Sequence, residues 1–118
     1  MRRRTKTVRA YYRTIDAGEY DRLEGLLAPD FVHDRPDRTL SGADRFVRFM
    51  REERPMTDTI HAVDALYHEG AESTDADVGD GEIAARGRLL CGEESLFEFV
   101  DVFAFEGSDV ARLRTYTR

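Results

Sequence analysis

The densest pattern in the chain is the stretch Ser95–Phe105, where apolar and polar positions alternate. Alternate side chains of a strand point to opposite faces. One face then carries Phe97, Phe99, Asp101, Phe103 and Phe105, and the other Leu96, Glu98, Val100, Val102 and Ala104. A ring-rich face of this kind needs cover, and the carboxylate in its middle needs a partner, a proton or a wetted cavity. The stretch is therefore expected to form one wall of a pocket that contains an acid.

Upstream the period is helical. Val8, Tyr11, Tyr12 and Ile15 recur at i, i+3, i+4 and i+7, predicting a helix with one buried stripe that Gly18 stops. A second short helix is predicted over Glu19–Leu27, with Tyr20, Leu23, Leu26 and Leu27 inward, followed by a turn at Ala28-Pro29-Asp30. Phe31–Asp34 reads as a short strand ended by Arg35-Pro36. Ser41 with Asp44 has the spacing of a capping box, for a helix that buries Ala43, Phe46, Val47 and Met50 and ends near Pro55. Arg45, Arg48 and Arg51 fall on its solvated side.

From Thr59 onward the period is two. Thr59–His68 is a strand with His61, Val63, Ala65 and Tyr67 on one face; Glu69–Gly81 is a polar loop; Glu82–Cys91 is a strand with Ile83, Ala85, Gly87 and Leu89 together. Turns at Gly92-Glu93-Glu94 and Gly107-Ser108-Asp109 flank the ring-rich strand, and Val110–Thr117 closes the sheet. Strands in series with short turns imply an antiparallel meander, and helices before strands imply an α+β class.

Composition sets the limits. The 118 residues suit one domain spanning 1–118, with room for a core and a modest cavity. The net charge of −6 disfavours nucleic acid as a partner; the Arg2–Arg4 cluster reads as a solvated end. No run of about eighteen apolar residues exists, so no membrane partner is expected. The N-terminus lacks the apolar segment of a secretory signal, and Cys91 is the lone cysteine, which together point to the cytoplasm. Lys6 is the single lysine among 18 basic residues, against 24 acidic ones, the balance of either a salt-adapted surface or a GC-rich genome.

Four segments in order, Tyr11-Tyr12-Arg-Thr-Ile-Asp-Ala-Gly-Glu-Tyr-Asp, Leu26-Leu27-Ala-Pro-Asp-Phe-Val-His, Ser41-Gly42 and Phe99-Val-Asp-Val-Phe-Ala-Phe, resemble the SnoaL-like branch of the nuclear transport factor 2-like superfamily. The resemblance covers nearly the whole chain. It implies a cone: a curved antiparallel sheet wrapped around about three N-terminal helices, with an internal pocket. Relatives include polyketide cyclases, ketosteroid isomerases, scytalone dehydratase and limonene epoxide hydrolase, beside non-catalytic binding modules. The ketosteroid isomerase oxyanion hole pairs a first-helix tyrosine with a protonated aspartic acid on a late strand. Tyr11 and Asp101 are similar in position to those donors. The isomerase base precedes a proline; here Arg35 precedes Pro36, with Asp34 one residue earlier.

These residues carry the candidate chemistry, each beside a plainer role. Asp101 is a neutral acid, a base, or a structural carboxylate held by Arg112 or Arg114 on the next strand. Tyr11 is an oxyanion donor or a stripe tyrosine that simply packs. His33 is a base toward a carbon next to a carbonyl, or a satisfied core histidine. Asp34 holds the His33 tautomer, acts as base, or is solvated near the turn. Phe31, Phe46, Met50, His61, Phe97, Phe99 and Phe103 are the expected pocket lining. His33, His61 and His68 lack metal-ligand spacing, and no phosphate or dinucleotide fingerprint appears, so neither metal nor cofactor is expected. The expected partner is a small hydrophobic carbonyl compound, isomerised, cyclised or dehydrated. The competing readings are a binding protein for a small apolar ligand and a dimerisation module. In either case the apolar outer face would pair in a homodimer.

Overall fold

The computed structural model describes residues 3–54, 56–69 and 81–118. Helix α1 runs Arg3–Ala17 and buries Val8, Tyr11, Tyr12 and Ile15 as the spacing predicts. It ends in a Schellman turn: the Gly18 N–H donates to the Ile15 carbonyl at 3.2 Å and the Glu19 N–H to the Thr14 carbonyl at 2.8 Å. Gly18 supplies the left-handed backbone that this turn needs, at φ 71°. Helix α2 is shorter than predicted, Tyr20–Glu24, because Leu27 already belongs to a strand.

Strand β1 spans Leu27–Asp34. The turn expected at Ala28-Pro29-Asp30 is instead an irregularity inside this strand, between the Leu27 and Val32 pairings with β6, where the proline ring costs no ladder bond. After Arg35-Pro36 the chain returns as a short strand, β2 (Thr39–Ser41), which sequence reasoning missed. Ser41 therefore does not cap helix α3 (Ala43–Arg48); Gly42 occupies the cap, with no side-chain cap bond. Helix α3 loosens into one π-helical turn, Phe49–Glu53, and buries Ala43, Phe46, Val47, Phe49 and Met50.

The remaining strands are β3 (Ile60–His68), β4 (Ile83–Cys91), β5 (Glu94–Glu106) and β6 (Asp109–Thr117). The sheet order is β2-β1-β6-β5-β4-β3. The last four strands form the expected meander. The sheet as a whole is mixed, because β1 lies parallel to β6. It is open rather than a closed barrel, and the helices pack over one face, with α1 against β3, β4 and β6 and α3 against β1 and β2. Register shifts interrupt β3, β5 and β6, and such bulges bend a sheet. The bulge between Val63 and Ala65 breaks the alternation of β3, so that Leu66 packs on the core while Tyr67 is exposed.

Two faces result. Phe31, Phe46 and Phe103, all fully buried, join Tyr11 in an aromatic core under α1, with Phe103 edge-on to Tyr11 at 5.3 Å and Phe46 stacked on it at 6.2 Å. The outer face carries half-buried Val100, Val102 and Ala104. Around them lie the ion pairs Arg88–Asp64, Arg112–Asp34, Arg114–Glu82 and Arg118–Glu98. Arg4 corrects the solvated-end reading of the N-terminus: it is buried, donates to the Gly107 carbonyl at 2.9 Å and lies over the Phe105 ring. Arg2, the acidic stretch 70–80 and Pro55 lie outside the described residues.

Gly87 marks the tightest strand crossing. A Cβ there would sit 2.4 Å from the Ala62 carbonyl oxygen and 2.9 Å from the Phe99 ring. Gly87→Ala is therefore expected to destabilise the fold by about 1–3 kcal/mol, as overpacking does. The urea midpoint checks it; an unchanged midpoint would show that β3 and β4 can part freely.

Candidate active site

Below the aromatic core the sheet opens into a cavity of about 230 Å³. Its wall comes from the first half of β5 (Phe97, Phe99, Asp101), the end of β6 (Thr115, Thr117) and the end of β1 (His33), with His61 at the start of β3 and Tyr11 from α1. Met50, Arg54 and Met56 close it from the helical side. Register shifts in β3, β5 and β6 bend the sheet around this hollow.

Asp101 is the centre of the site. It is 5 % exposed and has no cationic partner at bonding distance among the described residues. Two hydroxyls hold it instead: Tyr12 donates to Oδ2 at 2.6 Å and Thr115 to Oδ1 at 2.6 Å. Burial pushes its carboxyl above the usual carboxylate range, against the opposing pull of the two hydroxyls and of the His61 and Arg35 charges. Arg112 and Arg114 are not its partners; both face outward, toward Asp34 and Glu82. The reason is the bulge in the β5–β6 hairpin. An unbroken ladder from the Glu106–Asp109 pair would set Arg114 opposite Asp101; the shift after Phe105 sets Thr115 there.

The two tyrosines of α1 divide their work. Tyr12, not Tyr11, reaches Asp101, and burial beside that carboxyl pushes its hydroxyl far up. Tyr11 stands edge-on to Tyr12 at 5.1 Å. Its hydroxyl lines the cavity and has no hydrogen-bond partner among the described residues. Burial, and then Asp101, push it well above the ordinary tyrosine value, so it stays protonated and able to donate.

His33 lies one bond further along the same chain of contacts, its Nε2 2.8 Å from Thr115 Oγ1. When Asp101 is ionised, Thr115 gives its hydrogen to that carboxylate, so His33 donates from Nε2 and keeps a lone pair on Nδ1, which is buried and has no partner among the described residues. Burial lowers its pKa to about 3, so the ring is neutral. Asp34 is drawn the other way. Its carboxylate bonds Arg112 at 2.6 Å on the outer face, which lowers its pKa, and it does not line the cavity.

His61 is held from α1. Its Nδ1 is 2.7 Å from Asp16 Oδ1 and its backbone N–H donates to Asp16 Oδ2 at 3.0 Å. That carboxylate fixes the proton on Nδ1 and leaves Nε2 a lone pair, with no hydrogen-bond partner among the described residues. Sequence reasoning missed Asp16, yet Tyr12 and Asp16 stand one helical turn apart and so share a face. It also missed Thr115, Arg35 and Arg54. Of the expected lining, Met50, His61, Phe97 and Phe99 border the cavity, while Phe31, Phe46 and Phe103 lie in the core behind it.

The SnoaL-like domain profile matches residues 8–113. No curated protein sequence matches the chain. Among solved structures, the chain is similar to an NTF2-like protein of unknown function from Burkholderia pseudomallei. The two share 21 % identity at a TM-score of 0.78, over 100 % of this chain and 92 % of that one. It is also similar to a candidate ketosteroid isomerase from Kribbella flavida, with 19 % identity, TM-score 0.79, and 98 % and 78 % of the two chains covered. A third is an LEH-like epoxide hydrolase from M. tuberculosis, with 15 % identity, TM-score 0.76, and 98 % and 83 % covered. At such identities the likeness is one of fold.

The depressed His33 pKa has a consequence for stability. The unfolded chain takes up a proton near pH 6.5 and the folded chain only near pH 3. The stability that neutral His33 contributes is thus present above pH 6.5 and lost as the pH falls toward 3. The loss approaches about 1.4 kcal/mol per pH unit for one proton. His33→Gln is expected to flatten this acid limb. Urea unfolding of both proteins across that range checks it; parallel curves would mean that His33 titrates normally.

Proposed function

The chain belongs to the SnoaL-like domain family, and from that premise we propose that it is a cofactor-independent acid–base enzyme. Its substrate is a small hydrophobic carbonyl compound, and its reaction is of the isomerase, cyclase or dehydratase type. One observation carries this reading: among the described residues, the cavity holds a buried carboxyl with no cation bonded to it, beside a tyrosine hydroxyl with no partner and a histidine nitrogen with none. A core built only for stability would satisfy such groups or omit them.

The roles follow from the available hydrogens. Tyr11 donates to the substrate oxygen as it gains enolate character. Asp101, its charge disfavoured by burial, supports the same oxygen when protonated, with Tyr12 and Thr115 fixing its orientation. His61 takes the proton from the adjacent carbon at Nε2, and Asp16 stabilises the imidazolium that forms. His33 is not assigned as the base, because its Nε2 is engaged by Thr115, its Nδ1 is buried, and burial disfavours its imidazolium. Leu89, Phe97 and Phe99 hold the hydrocarbon part.

The test needs no knowledge of the natural product. In heavy water, exchange of the α-hydrogens of 1-phenylpropan-2-one, followed by proton NMR, should run faster with the protein than in buffer. His61→Ala and Asp101→Asn should each slow it by roughly a hundredfold to ten-thousandfold. Asp101→Asn should meanwhile keep its stability at neutral pH within about 1 kcal/mol, because it removes a charge that burial disfavours. Binding of the ketone without any gain in exchange would overturn the catalytic reading and leave a ligand-binding module.

A further inference from the structure

We propose that the cavity contains an anion subsite formed by Arg35 and Arg54, and that the substrate is a small oxo acid whose carboxylate seats there while its carbonyl meets Tyr11. This rests on the cavity being the site of carbonyl chemistry and narrows the substrate to a charged class.

Both residues line the cavity, and both meet the same π-helical turn, Arg54 as the residue that caps its end and Arg35 by lying over its Phe49 ring. The Arg54 backbone N–H donates to the Phe49 carbonyl at 3.0 Å, and its Nε donates to the Met50 carbonyl at 2.8 Å. Arg35 lies over the Phe49 ring at 4.8 Å and bonds Asp37 through Nε at 3.1 Å. Each head group is therefore positioned before any ligand arrives, which keeps the ordering cost of binding low. Arg54 spends one further donor on the Tyr20 hydroxyl at 3.2 Å. It has no carboxylate partner among the described residues, and its Nη1 donors are uncommitted.

The charges around the hollow favour an incoming anion: Asp37 is shared between Arg35 and Arg38, and Arg54 adds a cation with no carboxylate partner among the described residues. Asp16 is engaged with His61, and burial biases Asp101 toward its neutral form. The two arginines act across the same space, since their charges pull the Tyr11 value down against its burial. A wholly apolar guest would strip water from Arg54 and return nothing, which is costly. A carboxylate restores those bonds and offers the paired oxygens that a guanidinium fork fits.

Binding of two probes by titration calorimetry decides the matter: phenylpyruvate, and 1-phenylpropan-2-one, in which a methyl replaces the carboxylate. At low salt the wild-type protein should bind the oxo acid about ten- to a hundredfold tighter than the ketone. Arg54→Met and, separately, Arg35→Met should each bring the two affinities close together without weakening ketone binding. Arg48→Met, exposed on the same helix, should change nothing. Equal affinities in the wild type, or a preference that survives both cavity substitutions, would overturn the anion subsite. If the ketone then still exchanges its α-hydrogens, the acid–base reading stands without it. Failure of both probes to bind would overturn the subsite together with the cavity's assignment as a carbonyl site. Running both arginine variants keeps the test decisive should one of them fail to fold.

Discussion

The structure turns on how a single carboxyl is kept inside the sheet. An aspartate buried among rings is tolerable when a cation neutralises it, when it holds a proton, or when enough hydrogen bonds meet its oxygens. Among the described residues, this chain uses two short hydroxyl bonds and no ion pair. A salt bridge at that position would have locked the group in its charged form and filled the space beside it. Hydroxyls fix the geometry and leave protonation open, because each can donate to the carboxylate or turn its oxygen to accept from the acid.

That choice propagates outward. Tyr12 must approach β5, so α1 crosses the sheet where its Tyr-Tyr pair spans the boundary between core and cavity. Tyr11 then packs between Phe46 and Phe103 on the dry side, with its hydroxyl on the wet side. One turn later Asp16 meets β3 and holds His61 by side chain and backbone together. A single helix thereby positions the Tyr11 hydroxyl, the Tyr12 clamp on Asp101 and the Asp16 support of His61. Small errors in the placement of α1 would disturb all three at once, and buried Arg4, bonded to the Gly107 and Gly81 carbonyls, ties its first turn to the far end of the sheet.

The order of elements, the inward stripe of α1 and the inward row Phe99, Asp101, Phe103 were all legible from periodicity, because burial on one face imposes a period that neighbours cannot hide. The inward placement of Asp101 beside the cavity was legible for the same reason. Its partners were not. Alternation extended along β6 sets Arg114 opposite Asp101, and one inserted residue after the hairpin turn replaces it with Thr115. The same failure occurs in β3, where the bulge between Val63 and Ala65 turns Tyr67 outward and leaves His61 inward. Bulges have no strong signature in one sequence, yet each reverses every later assignment on its strand. Asp34 fails by a related route: the final residue of β1 points away from His33 by the pleat alone, and the ready partner on that side is Arg112.

The contrast between His33 and His61 shows why chemistry must be argued from partners and not from residue type. Both are half-hidden or hidden imidazoles lining one cavity. His33 has a hydroxyl on one nitrogen and a buried second nitrogen with no partner among the described residues, surroundings that penalise the imidazolium and hold the ring neutral. His61 has a carboxylate behind it, and a carboxylate at Nδ1 is the arrangement that lets the opposite nitrogen accept a proton and share the resulting charge. Asp101 joins the two through space and through Thr115, so its protonation bears on both rings. If Asp101 is ionised, Thr115 donates to it and His33 donates to Thr115. If Asp101 is protonated, that chain is free to reverse and place the His33 proton on Nδ1. The buried histidine thus follows the state of the acid, while the Asp16-backed histidine faces the cavity.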